Sequence, residues 1–254
     1  SMTNMLVAIL VVITDKDTLF KNQLIQSIST SIVKDSLRLY FVYGGTKLHS
    51  VCRNGYIDIY TQFPDTFGNI IHKSISGLQV ITDNQPVDYI IRTNMSTLFN
   101  FEKLLQWLQK CPPSKFFAGP FIAHIESKPM ISGTCMVMTT DIAKYIIENK
   151  DNIDTKLNED IGTSRLVNTT PHYTCNIPRI DFSGHNILFH KCEVGDLSPF
   201  CYRFKSANRV NDTKLMSRMI DCNYNVVDVL NGSNWTLYSE LEIYDSLFSK
   251  PFIC

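Results

Sequence analysis

Over the first half of the chain the apolar positions alternate between two rhythms, a short unbroken run and a stripe at helical spacing. Residues 5–13 are apolar throughout, which fits a strand buried on both faces. Leu19, Phe20, Leu24, Ile25, Ile28 and Ile32 then recur as a helical stripe. Residues 37–43 read as a second strand closed by Gly44 and Gly45. Phe67, Ile70, Ile71, Ile75 and Leu78 predict a second helix, and residues 87–91 a third buried strand. Leu98, Phe101, Leu104, Leu105 and Leu108 predict a third helix, ended before Pro112 and Pro113. Strand, polar turn and helix in repetition predict an α/β fold with a mainly parallel sheet, whose ligands bind at the carboxyl ends of the strands.

The middle of the chain changes character. Residues 116–125 and 131–138 read as strands around a Lys128-Pro129 turn, the second entered through Ser132-Gly133. Thr139, Thr140 and Asp141 are placed to cap a helix through Ile142, Tyr145 and Ile146. A polar stretch, 149–159, leads into Asp160 and a helix through Leu166. Beyond Thr169 the pattern is irregular, with a short strand at 201–204 and a helix around 215–220. No repeat or compositional break divides the 254 residues, so one domain is expected over 1–254.

Composition narrows the function. With 44% apolar residues, 15 Phe and 11 Tyr, the chain has enough apolar surface to fold rather than stay disordered. Lys and Arg total 24 against 24 Asp and Glu, which removes the electrostatic signature of a general nucleic-acid binder but leaves room for a local basic patch. The run at 5–13 is about half of the roughly 20 residues a membrane span requires. Ser1 ahead of Met2 reads as a leftover of expression cloning, with Met2 the expected start and no targeting peptide. Eight scattered cysteines, without a CxxC pair or zinc spacing, read as reduced thiols of a cytosolic protein. Five Asn-x-Ser/Thr matches, at Asn94, Asn168, Asn211, Asn231 and Asn234, carry little weight in an Asn-rich chain.

No P-loop, dinucleotide glycine fingerprint, Gly-x-Ser-x-Gly elbow or His-Glu-x-x-His is present. The candidate chemistry lies in polar segments at strand ends: Asp58-Ile59; Asp65-Thr66-Phe67 with Asn69 and Lys73-Ser74; Arg92-Thr93-Asn94-Met95-Ser96; Ser132-Gly133; and Glu159-Asp160-Ile161. In this order and spacing they resemble the beta-1,3-glycosyltransferase family, which includes galactosyltransferases and the Fringe enzymes. The resemblance covers about residues 5–165. One departure is large: the family's Asp-Asp-Asp reads Asn94-Met95-Ser96 here, and the family's upstream Asp before Phe is Gln62.

The resemblance implies a GT-A fold with a nucleotide-sugar-binding half over about 1–110 and an acceptor-binding half over about 111–254. It implies inverting transfer from a nucleotide-sugar, by family habit a uridine diphosphate sugar, to a hydroxyl of a glycan or glycoprotein. Asp160 is the expected general base and Glu159 its alternative. Asp58 is expected near the nucleotide base or ribose, Asn94 and Ser96 at ribose or diphosphate oxygens, and His190 near the diphosphate, where it is also the candidate metal ligand. An amide and a hydroxyl are poor ligands for a hard cation, which leaves the cofactor open: none, or Mn2+ or Mg2+ if the altered triplet still supports a metal. Without a metal the departing diphosphate would need cations, and Lys73, Arg92, Arg203, Lys205 and Arg209 are the candidates. No nucleic-acid partner and no membrane span are expected. The missing anchor and the Asn/Ile/Lys-rich composition suggest a cytoplasmic enzyme of a microbe or a virus-infected host cell. The alternative is a catalytically inactive GT-A module that binds carbohydrate or protein.

Overall fold

The computed structural model describes residues 4–183, 186–190, 199–231 and 236–240. The chain opens with β1 (Val7–Val12), crosses through α1 (Thr18–Ser29) to β2 (Leu37–Tyr43), continues through β3 (His49–Cys52) and β4 (Ile57–Tyr60), and returns by α2 (Ile70–Asn84) to β5 (Tyr89–Asn94). Next come β6 (Thr97–Phe99), α3 (Phe101–Leu108), β7 (Phe117–Ala118), β8 (Phe121–Ile125), β9 (Lys128–Ile131) and β10 (Met136–Thr139). Then follow α4 (Thr140–Glu148), α5 (Glu159–Val167), β11 (Arg179–Ser183), β12 (Asn186–His190), β13 (Cys201–Phe204), α6 (Arg209–Asp221), α7 (Val226–Leu230) and β14 (Thr236–Glu240).

The expected α/β class is the one observed. A seven-stranded sheet runs in the order β3-β4-β2-β1-β5-β10-β7. Its four central strands, β4, β2, β1 and β5, are parallel, while β3, β10 and β7 each run antiparallel to a neighbour. All six residues of β1 are buried, which is why its sequence reads as an unbroken apolar run. Val7, Ile9 and Val11 belong to one core cluster with Phe20 and Leu24 of α1; Ala8, Leu10 and Val12 belong to the other with Ile71, Ile75 and Leu78 of α2. Helices therefore cover both faces. From β1 the chain goes first to β2 on one side and later to β5 on the other, so the carboxyl ends of β1 and β5 flank a topological switch point.

A second sheet, β14-β12-β11-β13-β6, is mixed in direction. It joins the first through the turn at Asn94, Met95 and Ser96, because β5 ends at Asn94 and β6 begins at Thr97. That pairing sets Arg203 of β13 directly opposite Thr97.

The structure corrects several local expectations. The strand expected at 87–91 runs on to Asn94, and Leu98 sits in β6 rather than in α3. The β8–β9 hairpin turns at Glu126 and Ser127, with φ of 55° and 63°, while Lys128 and Pro129 already belong to β9. Residues 116–125 break into two strands at Gly119, where a Cβ would lie 2.1 Å from the Cys135 carbonyl oxygen. At α4 the side chains of Thr139 and Asp141 leave the helix end uncapped and instead accept the N–H groups of Phe116 and Lys115. The helix expected at 215–220 extends over Arg209–Asp221, capped by Asn208. Among the described residues no helix is long and apolar enough to cross a membrane. The six described cysteines are free thiols; Cys192 and Cys254 lie outside the described residues.

Candidate functional site

Arg92 leaves β5 on the α2 side of the sheet, 5% exposed, and gathers four of the sequence segments. Its NH2 lies 2.9 Å from Glu159 Oε2, its Nε donates to Ser74 Oγ at 3.3 Å, and its NH1 donates to the Gly133 carbonyl. Ser74 closes the ring by donating to Glu159 Oε1 at 3.0 Å. Gly133 is required here: a Cβ would stand 2.2 Å from Arg92 NH1 and displace the guanidinium. Burial pushes the Glu159 carboxyl above the usual range; Arg92 and Ser74 oppose the rise and Asp160 adds to it. Glu159 is thus engaged in a buried pair that anchors the start of α5.

The adjacent Asp160 differs in environment. It is half-buried, and its Oδ1 accepts only the neighbouring Ile161 N–H at 2.9 Å. Among the described residues no cation pairs with it.

Lys73 and Asp58 are also engaged internally. Lys73, 3% exposed, donates to the Ile13 carbonyl at 2.8 Å and to Asp65 Oδ1, which also accepts the Gly44 N–H at 2.7 Å. Asp65 and Lys73 thereby clamp α2 to the ends of β1 and β2. Asn69 donates to Thr66 Oγ1 at 2.7 Å within the turn that leads into α2. Asp58, 2% exposed, lies between Lys21 Nζ at 2.9 Å and Arg53 Nε at 3.0 Å. The Lys21 ammonium stands 4.7 Å from the Tyr56 ring centroid, 5.0 Å from that of Phe41 and 5.1 Å from that of Tyr43, so rings and carboxylate together fix it.

Lys21 also lines a cavity of about 170 Å³ at the carboxyl ends of β1, β2 and β4. Thr14, Asp15, Asp17, Tyr43 and Tyr60 form its other polar and aromatic walls, with Tyr43 and Tyr60 stacked at 5.3 Å. Sequence reasoning missed these residues. Their signal was the Thr14-Asp15-Lys16-Asp17-Thr18 turn between the first strand and helix, the position at which open α/β sheets bind ligands.

Beside this cavity, Val12 of β1 pairs with Asn94. Asn94 Oδ1 accepts the Ser96 N–H at 3.0 Å and Thr97 Oγ1 at 2.8 Å, an Asx turn. Ser96 Oγ accepts Arg209 NH2 at 2.9 Å, and the Arg209 guanidinium stacks 4.0 Å over the Phe20 ring. Arg203 pairs with Asp181 at 3.6 Å, and Asp181 in turn holds Arg179 Nε at 2.7 Å. Arg179 NH1 also donates to Ser132 Oγ at 3.2 Å, so the Ser132-Gly133 turn lies between the two arginine networks. Lys205 is exposed, and its ammonium makes no ion pair among the described residues. The charge of Arg203 depresses its pKa first, with burial and Arg209 adding to the effect. Burial lowers that of Arg203. A local basic patch therefore lies next to the Asn94 turn, in which Arg203 and Arg209 are paired with Asp181 and Asp212 while their charges crowd the unpaired Lys205. An anion would relieve that crowding.

The same residues do not fit a divalent metal. Asn94 Oδ1 already accepts two hydrogen bonds, Ser96 Oγ accepts one from a guanidinium, and the nearby carboxylates are taken by arginines, Asp212 by Arg209 at 3.2 Å and Asp181 by Arg179 and Arg203. Hard cations take anionic oxygens. Among the described residues no group of three His, Cys, Asp or Glu side chains is arranged to hold one. His190 lies on β12, but its side chain is outside the described residues.

No protein-family model and no curated protein sequence matches the chain, so the resemblance to the beta-1,3-glycosyltransferases rests on the five segments. Three solved structures with similar folds are glycosyltransferases. The galactosyltransferase LgtC, in complex with donor and acceptor sugar analogs, aligns at 9% identity and TM-score 0.44 over 69% of this chain and 75% of its own. An active-site mutant of LgtC aligns at 10% identity and TM-score 0.46 over 78% and 86%. Mannosyltransferase PcManGT from Pyrobaculum calidifontis, in complex with GDP-Man and Mn2+, aligns at 9% identity and TM-score 0.49 over 91% and 66%.

Proposed function

We propose that this chain is a GT-A-type glycosyltransferase that moves a sugar from a nucleotide-sugar, of uridine diphosphate type, to a glycan hydroxyl with inversion. The observation that carries the reading is the arrangement at the switch point: an aromatic and polar cavity that Ile13 helps to line lies beside the turn at Asn94, the partner of Val12, and the Ser96 hydroxyl of that turn holds Arg209. A flat base with a ribose suits the first part and a diphosphate the second.

In this reading Lys21 contacts the nucleoside, and Asp58 acts through it by holding its ammonium in place. The Ser96 hydroxyl and the Asn94 amide N–H groups face the diphosphate, with the three cations around them. The acceptor hydroxyl attacks the anomeric carbon, the carbon–oxygen bond to the diphosphate breaks, and the proton passes to Asp160. The electron pair leaves on the diphosphate oxygen, where preorganised cations stabilise the growing charge. Asp160 suits the base because its neighbour Glu159 is neutralised by Arg92 while it carries no such partner. Arg92, Glu159, Ser74 and Lys73 hold α2 and α5 around the site without touching substrate. Residues about 1–110 supply the nucleoside side of the site, and the part from about 111 to 254 adds Asp160 and the cations Arg203, Lys205 and Arg209.

The test is release of nucleoside diphosphate from uridine diphosphate sugars in the presence of a chelator. The reading expects slow hydrolysis without acceptor, abolished in Asp160→Asn. Turnover that requires Mn2+ would remove the cationic mechanism. The second reading, a binding module without catalysis, is favoured by the engagement of Asp58, Lys73, Arg92 and Glu159 in buried pairs. Donor binding without any hydrolysis would establish it.

A further inference from the structure

A second cavity, of about 310 Å³, lies between α2 and the 150–155 segment. It is separate from the cavity at Lys21. Tyr60 lines the first, whereas Gln62 and Phe63, just after it in sequence, line the second. The Lys73–Asp65 clamp belongs to the intervening wall, since Lys73 bonds to Ile13 of the first cavity while His72 and Ser76 on another face of α2 line the second.

Its lining has a distinct chemistry. Phe63 and His72 stack at 4.7 Å with an interplanar angle of 19°, and Ile71, Ile75 and Ile153 supply the apolar floor. Gln62, Ser76 and Thr155 bring neutral donors and acceptors, and Lys150 and Asp151 bring charges that cancel. A phosphate would find no surplus cation here. A neutral ligand with one C–H face and many hydroxyls fits better, because C–H groups pack on aromatic rings and hydroxyls bond to the rim. The volume is at the lower end for ligand sites, suited to one sugar ring rather than a chain. The 150–155 segment leads directly into Asn158, Glu159 and Asp160, and Ile153 packs against Gly162 of α5.

We infer that this cavity is a subsite for a sugar ring of the acceptor glycan, held against the segment that carries Asp160. Its acceptor role rests on the transferase reading; its sugar chemistry does not.

Saturation-transfer NMR would be run on the whole protein with methyl β-galactoside, methyl β-N-acetylglucosaminide and methyl α-mannoside, and on Ser76→Trp and Thr155→Trp, which fill the cavity from opposite walls. At least one glycoside should show transfer, and each tryptophan should weaken it by about tenfold or more in affinity. Thr155 is exposed, so its variant keeps the experiment decisive if Ser76→Trp fails to fold. Absence of transfer from all three glycosides overturns the inference, as does transfer that persists in a folded tryptophan variant. Melting with uridine diphosphate separates the two claims. Glycoside binding without nucleotide stabilisation keeps the sugar site and removes the transferase, while nucleotide stabilisation without glycoside binding does the reverse.

Discussion

Replacing Arg92 by Met tests the idea that the family-like segments converge on a buried ion pair. The change removes the partner of Glu159, whose side chain is 10% exposed, and leaves the Gly133 carbonyl without its donor. Only the Ser74 hydroxyl would still bond the carboxylate. Truncating one partner of a buried pair costs about 3–5 kcal/mol, because the other charge stays desolvated. For a chain of this size that lowers the melting temperature by roughly 6–20 °C. Arg92→Met with Glu159→Leu removes both charges and should recover most of the loss.

The pH dependence has a definite sign. The folded Glu159 pKa is raised already and rises further without Arg92, so the folded state binds a proton that the unfolded chain releases. The stability of Arg92→Met should therefore fall as pH increases from the unfolded carboxyl value towards the raised folded one. Urea denaturation of the wild type, both single variants and the double variant across pH 4 to 8 gives the cycle. A loss under about 1 kcal/mol in Arg92→Met would refute the reasoning, as would a double variant as unstable as the sum of the singles.

Lys205→Ala should weaken nucleoside diphosphate binding by about 10- to 100-fold, as loss of one charge-assisted contact does, and should flatten the dependence of affinity on salt; titration calorimetry at two ionic strengths measures both. Asp160→Asn should lower kcat by about 10²- to 10⁴-fold with little change in donor affinity, read from initial rates and direct binding. Gly133→Ala should destabilise in the same way as Arg92→Met, since its methyl takes the guanidinium's place; thermal melting compares them. Burial lowers the pKa of His124 to about 4 and also depresses that of His172. The fold disfavours the charged form of both, so stability should decline as pH drops below about 6.5, and the His124→Asn, His172→Asn double variant should show a flatter acid limb.

The parallel core was legible because burial on both faces writes itself as continuous apolar runs. The strand expected at 37–43 is β2, and the one at 201–204 is β13. The exposed edge strand β3 left no such run, and three of its four residues face solvent. Leu98 misled because it falls in register with Phe101 and Leu105, a helical coincidence overridden by pairing with β13. The Glu126-Ser127 turn lacks the Asn or Gly that usually supplies positive φ, so Pro129 drew attention instead. The resemblance singled out Arg92, Ser74, Gly133 and Glu159 as parts of separate segments, and their convergence on one buried network became visible only in the fold. It did not disclose that Lys73 turns to Asp65 or that Asp58 turns to Lys21, because side-chain partnership across a sheet is set by tertiary placement.

The central claim, anion recognition by cations in place of carboxylate-held metal, is tested most directly by melting the protein with uridine diphosphate in Mn2+ and in chelator. A ligand at about 100 times its Kd stabilises by about 2.7 kcal/mol, or roughly 5–11 °C here. The account predicts the same shift under both conditions, and its loss in the Lys205→Ala, Arg209→Ala variant. A shift seen only with Mn2+, or none at all, would contradict it.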